Sequence, residues 1–184
     1  MDMTERKYGG FIAGPLSVVD RRLLVFYFLL TILDNLGALY DRPLGPILSL
    51  TIPLIIGMCI FTGPIGQRFV RLNYSLVWFL FVFKFAVVDY FLLHYTISCL
   101  LPLYCFIVYQ IVRYLFWKNE KLDFVPLVLS GAGIGLRKSK LVNREATDLD
   151  KKYMIILIIF GSIGLLLNMF LIDSTNLLSG LSFS

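Results

Sequence analysis

Five stretches of this chain contain almost nothing but apolar residues, and each is long enough for an α-helix to cross a hydrocarbon layer. They are 23–40, 44–63, 74–93, 97–116 and 153–172. Roughly 20 residues at 1.5 Å each cover the 30 Å core of a bilayer. A β-barrel does not fit, because the runs are uniformly apolar and do not alternate. Composition agrees: 58% of the 184 residues are hydrophobic and only 16% are charged, too little polar surface to cover a soluble domain of this length. The expectation is an all-α integral membrane protein, a bundle of five transmembrane helices. Residues 1–22 would form a cytoplasmic N-terminal segment, 23–172 the transmembrane domain and 173–184 an outer C-terminal tail.

Punctuation supports these spans. Asp20 precedes the first run as an N-cap, and Asp41-Arg42-Pro43 closes it. Pro53 falls inside the second run, where a kink is expected. Thr147 and Asp150 have the spacing of a capping box just ahead of the fifth. The start of the chain lacks a small-residue cleavage pattern, so the first run reads as a retained anchor. A sixth apolar stretch, 122–136, is only 15 residues long and carries Pro126 and three glycines. It suits an interfacial or re-entrant piece; as a full span it would give six crossings.

Lysine and arginine choose between the two topologies. With five spans and a cytoplasmic N-terminus, 15 of the 17 basic residues fall on the cytoplasmic side, counting Arg113 at the inner end of the fourth run; only Arg42 lies outside, and Lys84 sits deep within a span. That is the bias of the positive-inside rule. Six spans would carry the basic residues from Arg137 to Lys152 outward. The reading is therefore a multi-pass protein with the N-terminus in the cytoplasm and the C-terminus on the outer or lumenal side. The same segregation explains the net charge of +5 without nucleic acid as a partner.

Charged side chains inside a span are expensive unless paired. Asp34 in the first run and Lys84 in the third lie about 16 Å and about 15 Å from the cytoplasmic boundary at 1.5 Å per residue, so the two reach one depth. They could form a relay or substrate site, an internal pair that fixes helix register, or a pair with another subunit. Asp89 lies five residues beyond Lys84, about 140° around an α-helix and so on a different face. Asn35, Gln110 and Asn168 are neutral polar residues suited to hydrogen bonds between helices. Gly161, Gly164 and Asn168 share one face of the fifth run, a surface for close packing against a helix of this chain or of a partner.

Other signals are weaker. Cys59, Cys99 and Cys105 all lie in apolar runs without a CxxC pair and read as buried thiols. His94 is the single histidine, at an outer boundary among tyrosines, and makes a histidine-rich metal site or bis-histidine haem implausible. Arg137, Lys138, Lys140 and Arg144 could meet anionic lipid headgroups, although enforcing topology is the stronger account of them. Ser130 and the glycines after it could offer amides to an anion, but no P-loop lysine follows and no base accompanies the serine. Asn73-Tyr74-Ser75 matches a glycosylation sequon on the side expected to stay in the cytoplasm. No zinc-protease motif, nucleophile elbow or aspartate-rich magnesium cluster is present, so no catalytic residue, metal or cofactor is expected.

These features favour a small polytopic subunit or assembly factor of a larger membrane complex, with the bilayer and other membrane-protein subunits as partners. Two alternatives remain open: a small transporter or channel using Asp34 and Lys84, and a lipid-modifying enzyme using the 122–152 loop.

Overall fold

The structure, a computed structural model, describes residues 11–12, 14–39, 44–61, 63–92, 97–125, 128–130, 133–135 and 146–181. Within these the chain is predominantly helical. The main helices are α1 (Val18–Leu39), α2 (Leu44–Ile60), α4 (Leu72–Lys84), α5 (Leu101–Glu120) and α6 (Asp148–Leu181). A single helical turn, α3 (Gly63–Gly66), and a 3-10 turn, Gln67–Val70, join α2 to α4. Another 3-10 turn, Ile97–Leu100, leads into α5.

Two segments, Ile97–Glu120 and Asp148–Phe170, are long and apolar enough to cross a membrane. The second has mean hydropathy 2.3, yet only 28% of its apolar window is buried within the protein. Its outward face carries Ile155, Ile159, Leu166 and Phe170, all well exposed. α1 likewise exposes Val25, Phe28, Leu29 and Leu33. In a soluble protein apolar surface on this scale would be anomalous.

Each apolar run carries a helix, but among the described residues only two of the five expected spans meet that length and hydropathy, and the offsets between runs and helices have local causes. α1 begins five residues before its run, because its cap is Ser17 and not Asp20. The Ser17 amide donates to Asp20 Oδ2 at 2.7 Å, and the Asp20 amide donates to Ser17 Oγ at 3.1 Å. This is a reciprocal capping box with aspartate at its third position. α2 continues through Pro53, whose missing N–H and bulky ring a helix can accommodate when neighbouring helices support it. α6 runs for 34 residues, on through Leu181, so helix occupies most of the stretch expected to be a tail.

The described residues of 122–136 are not helical. Val128–Ser130 (β1) and Gly133–Gly135 (β2) pair antiparallel. Strands of three residues reach about 10 Å, well short of a bilayer crossing. The hairpin is the one departure from helix among the described elements.

An aromatic cluster forms the core. Phe69, completely buried on the α2–α4 connection, packs against Tyr74, Trp78, Phe106 and Tyr109 with ring centroids 5.3–5.8 Å apart. Tyr27 of α1 closes on Trp78 at 4.7 Å. These rings tie α1, α4 and α5 around a short connector that would otherwise be an exposed loop. Cys99 and Cys105 are buried and Cys59 half-buried, none in a disulfide.

Candidate functional site: the polar end of the bundle

Polar side chains of the described residues concentrate at one end, where α1, α4 and α6 begin and α5 finishes. Asp20, with no exposed surface, receives Arg68 on one carboxylate oxygen and Arg71 on the other, the latter at 2.6 Å. Both arginines come from the α2–α4 connection. Burial alone would raise the Asp20 carboxyl. Hydrogen bonds from Ser17 and Arg68, with the nearby Arg71 charge, reverse that and hold it below its ordinary value. Residues 11–12 and 14–17 lie across the same end. Ile12 bridges Arg71 through hydrogen bonds to Val70 and Leu72, and Asn73 Nδ2 donates to the Gly14 carbonyl at 2.8 Å. The sequon asparagine is thus engaged in holding this strap.

A second polar chain links α4 to α5. Gln110 Nε2 donates to Ser75 Oγ at 2.7 Å, and Arg113 Nε donates to Gln110 Oε1 at 3.1 Å. The Arg113 guanidinium lies over the Phe11 ring, 3.9 Å from its centroid, and is almost fully buried. One helical turn deeper, Phe79 and Phe106 face each other, 6.2 Å apart. Beside this row a cavity of about 510 Å³ opens sideways between the helices, with Ser75, Gln110 and Arg113 among walls that are otherwise apolar or aromatic.

The third cluster is the start of α6. The Thr147 amide donates to Asp150 Oδ2 at 2.8 Å, as the capping-box spacing predicts, and the Thr147 hydroxyl donates to the same oxygen. Asp150 Oδ1 accepts from the Val125 amide at 2.9 Å, which fastens the segment after α5 to the α6 start. Asn119 Nδ2 adds a hydrogen bond to the Tyr153 hydroxyl.

At the opposite end α5 and α6 are joined by neutral groups. Asn168 Nδ2 donates to Ser98 Oγ at 3.2 Å, and the Tyr104 hydroxyl donates to the Phe160 carbonyl at 2.8 Å. The glycine stripe is filled from within this chain. A Cβ on Gly161 would come 2.5 Å from the Phe61 ring, and one on Gly164 would come 2.2 Å from the Tyr104 ring. The stripe read from sequence is therefore an internal packing surface, with Asn168 at its end.

Gln110 and Asn168 thus hydrogen-bond to neighbouring elements, at Ser75 of α4 and at Ser98 of the turn before α5. Lys84 is half-buried with its ammonium 4.9 Å from the Phe85 centroid. Asp34 and Asn35 fall on α1, but their side chains lie outside the described residues, so the Asp34–Lys84 pairing is untouched by these contacts. One angular expectation changes. From Phe85 to Leu92 the backbone is a π-helix, whose repeat links residues five apart. Positions 84 and 89 are therefore closer in angle than the about 140° of an α-helix; the Asp89 side chain itself lies outside the described residues. So do His94 and the basic cluster Arg137, Lys138, Lys140 and Arg144. Among the described residues no group of three metal-ligating side chains occurs.

Sequence reading missed Ser17, Arg68, Arg71 and Arg113 as site residues. For Ser17 and Asp20 a signal existed, the S-x-x-D spacing itself. For the arginines there was none beyond their position at a span boundary. Comparison with protein-family models, with curated proteins and with solved structures finds no match to this chain.

Proposed function

We propose that the protein is a small polytopic membrane subunit or assembly factor, a five-span bundle with its polar end in the cytoplasm. The observation that carries this reading is the use made of the polar side chains. Asp20 with its arginines, Ser75 with Gln110, Asp150 with Val125, and Asn168 with Ser98 each tie one element to another. They brace the bundle rather than line a passage along it. The cavity beside the Ser75–Gln110–Arg113 row has exposed apolar residues on its rim, as a lipid- or protein-facing groove does. Broad apolar faces on α1 and α6 suit a bilayer and neighbouring subunits. The gathering of three helix starts and the α5 terminus at one end agrees with alternating up-and-down crossings, and the cations there agree with a cytoplasmic location.

Mild detergent extraction followed by native electrophoresis tests the subunit reading. The expected result is migration well above 21.1 kDa with co-purifying membrane proteins. A clean monomer or homodimer overturns it. Ion or solute flux in proteoliposomes that is lost on Asp34→Asn would replace it with transport. Lipid turnover by the purified chain, lost on substitution within 130–144, would replace it with an enzyme. Accessibility labelling that puts Arg144 and Ser184 on the same side overturns the five-span layout.

A further inference from the structure

We infer that the groove between α4 and α5 is a binding site for one acyl chain of a membrane glycerolipid, with the lipid's ester carbonyl at the Ser75–Gln110–Arg113 row. The inference rests on the membrane-embedded bundle proposed above, but not on the presence of partner subunits.

The first support is the shape and chemistry of the cavity. At about 510 Å³ it falls in the ~300–1,000 Å³ range of small-molecule sites, which pair apolar walls with a few convergent polar groups. Leu76, Phe79, Ile111 and Leu115 on its rim are exposed, so hydrocarbon enters from the side. Phe106 is buried and closes the deeper part.

The second support is the polarity at one end. Ser75 is buried and Arg113 is almost completely so, yet both reach the cavity wall. Ser75 Oγ accepts from Gln110 and Gln110 Oε1 accepts from Arg113. That directionality leaves the Ser75 hydroxyl proton and the second Gln110 amide proton as donors. A row of donors calls for a ligand that accepts hydrogen bonds. It does not select a purely hydrocarbon one.

The third support is depth. Ser75 lies one residue inside the expected span boundary at Tyr74. Gln110 is hydrogen-bonded to Ser75 and so shares its depth, and Phe79 and Phe106 lie one helical turn, about 5 Å, further in. The donors therefore sit near the boundary, where an inner-leaflet lipid carries its esters, and the apolar lining continues about one turn below them. The first methylenes of one acyl chain match this extent.

Photolabelling of the full chain tests the assignment. The probe is a diacylglycerophosphocholine with a diazirine in one acyl chain, in vesicles of dioleoylphosphatidylcholine. Label is expected on Leu76, Phe79 and Ile111 at about ten times the level on the equally exposed Ile159 and Leu166 of α6, the enrichment that ~1.4 kcal/mol of preference confers. Gln110→Leu should bring the groove down to the α6 level. Leu76→Trp, which fills the rim without touching the polar row, should do the same and serves where Gln110→Leu does not fold. Equal labelling of groove and α6 in the unaltered chain means annular lipid only and overturns the site while leaving the bundle intact. Preferential labelling by a diazirine fatty acid over the ester probe overturns the glycerolipid as occupant. Absence of label on α5 and α6 alike overturns the membrane bundle and the groove with it.

Discussion

The starts of α1 and α6 carry the same local device and use it differently. Each has a hydroxyl residue followed three positions later by a fully buried aspartate, Ser17 with Asp20 and Thr147 with Asp150. At α1 the serine oxygen accepts from the aspartate amide, and the carboxylate is then neutralised by two arginines some 50 residues away. At α6 the threonine hydroxyl donates to the carboxylate, whose other oxygen takes a backbone amide from Val125. The α1 box thereby becomes an ionic clamp on the α2–α4 connection. The α6 box becomes a hydrogen-bonded fastener for the end of α5. A helix cap is a local matter; what it is recruited to hold is decided by the chain that passes above it.

The comparison predicts unequal losses. Asp20→Ala should be the most damaging single change, because it removes the carboxylate shared by two partly buried guanidinium groups as well as a cap. A loss of about 3 kcal/mol is expected, read as a large fall in thermal midpoint in detergent. Charge also gives it a pH signature. The folded Asp20 carboxyl titrates below its ordinary value, so its stabilisation is complete above that value and disappears as the pH falls through the lowered one. Asp20→Asn should flatten the acid limb of the stability profile below the ordinary aspartate value of about 4; an unaltered acid limb would show that the clamp is not ionic in solution. Asp150→Ala should cost less, about 2 kcal/mol, from the lost cap and the stranded Val125 amide. A larger effect at Asp150 than at Asp20 would invert the comparison.

Further along α6 the same reasoning can be sharpened. Gly164→Ala drives a methyl into the Tyr104 ring, which cannot simply swing aside because its hydroxyl is bonded to Phe160. About 1.5 kcal/mol is expected from overpacking, and Tyr104→Phe should lessen the penalty in the double variant. The smallest effect concerns the other side of the Val125 fastener. Lys121 ends α5 in the left-handed conformation at φ 54°, a position that favours glycine. Lys121→Gly should raise stability by about 0.5 kcal/mol, the left-handed strain it relieves being partly offset by the lost contact with Trp117.

The sequence was most informative where one residue type suffices. Uninterrupted apolar runs located the helices, and Thr147 with Asp150 located a cap, because periodicity and spacing are local. Gly161 and Gly164 marked a close approach but not its partner, since Phe61 and Tyr104 are distant in sequence. The arginines at 68, 71 and 113 were legible only as cations at a boundary. Their roles depend on which helix end lies opposite, and no pattern within a window encodes that. The π-helical turn was invisible for a related reason: residues 85–92 are as apolar as any α-helix, and the wider winding leaves no compositional trace.

The length of α6 has a mechanical meaning. Thirty-four residues make a rod of about 51 Å, whereas a bilayer with its headgroups is about 40–45 Å thick. Across a bilayer such a rod, standing upright, would project beyond the lipid, and a tilt of about 5° would carry its far tip sideways by about 4 Å. Asp150 ties its base to the segment after α5, so that displacement would fall on the other end.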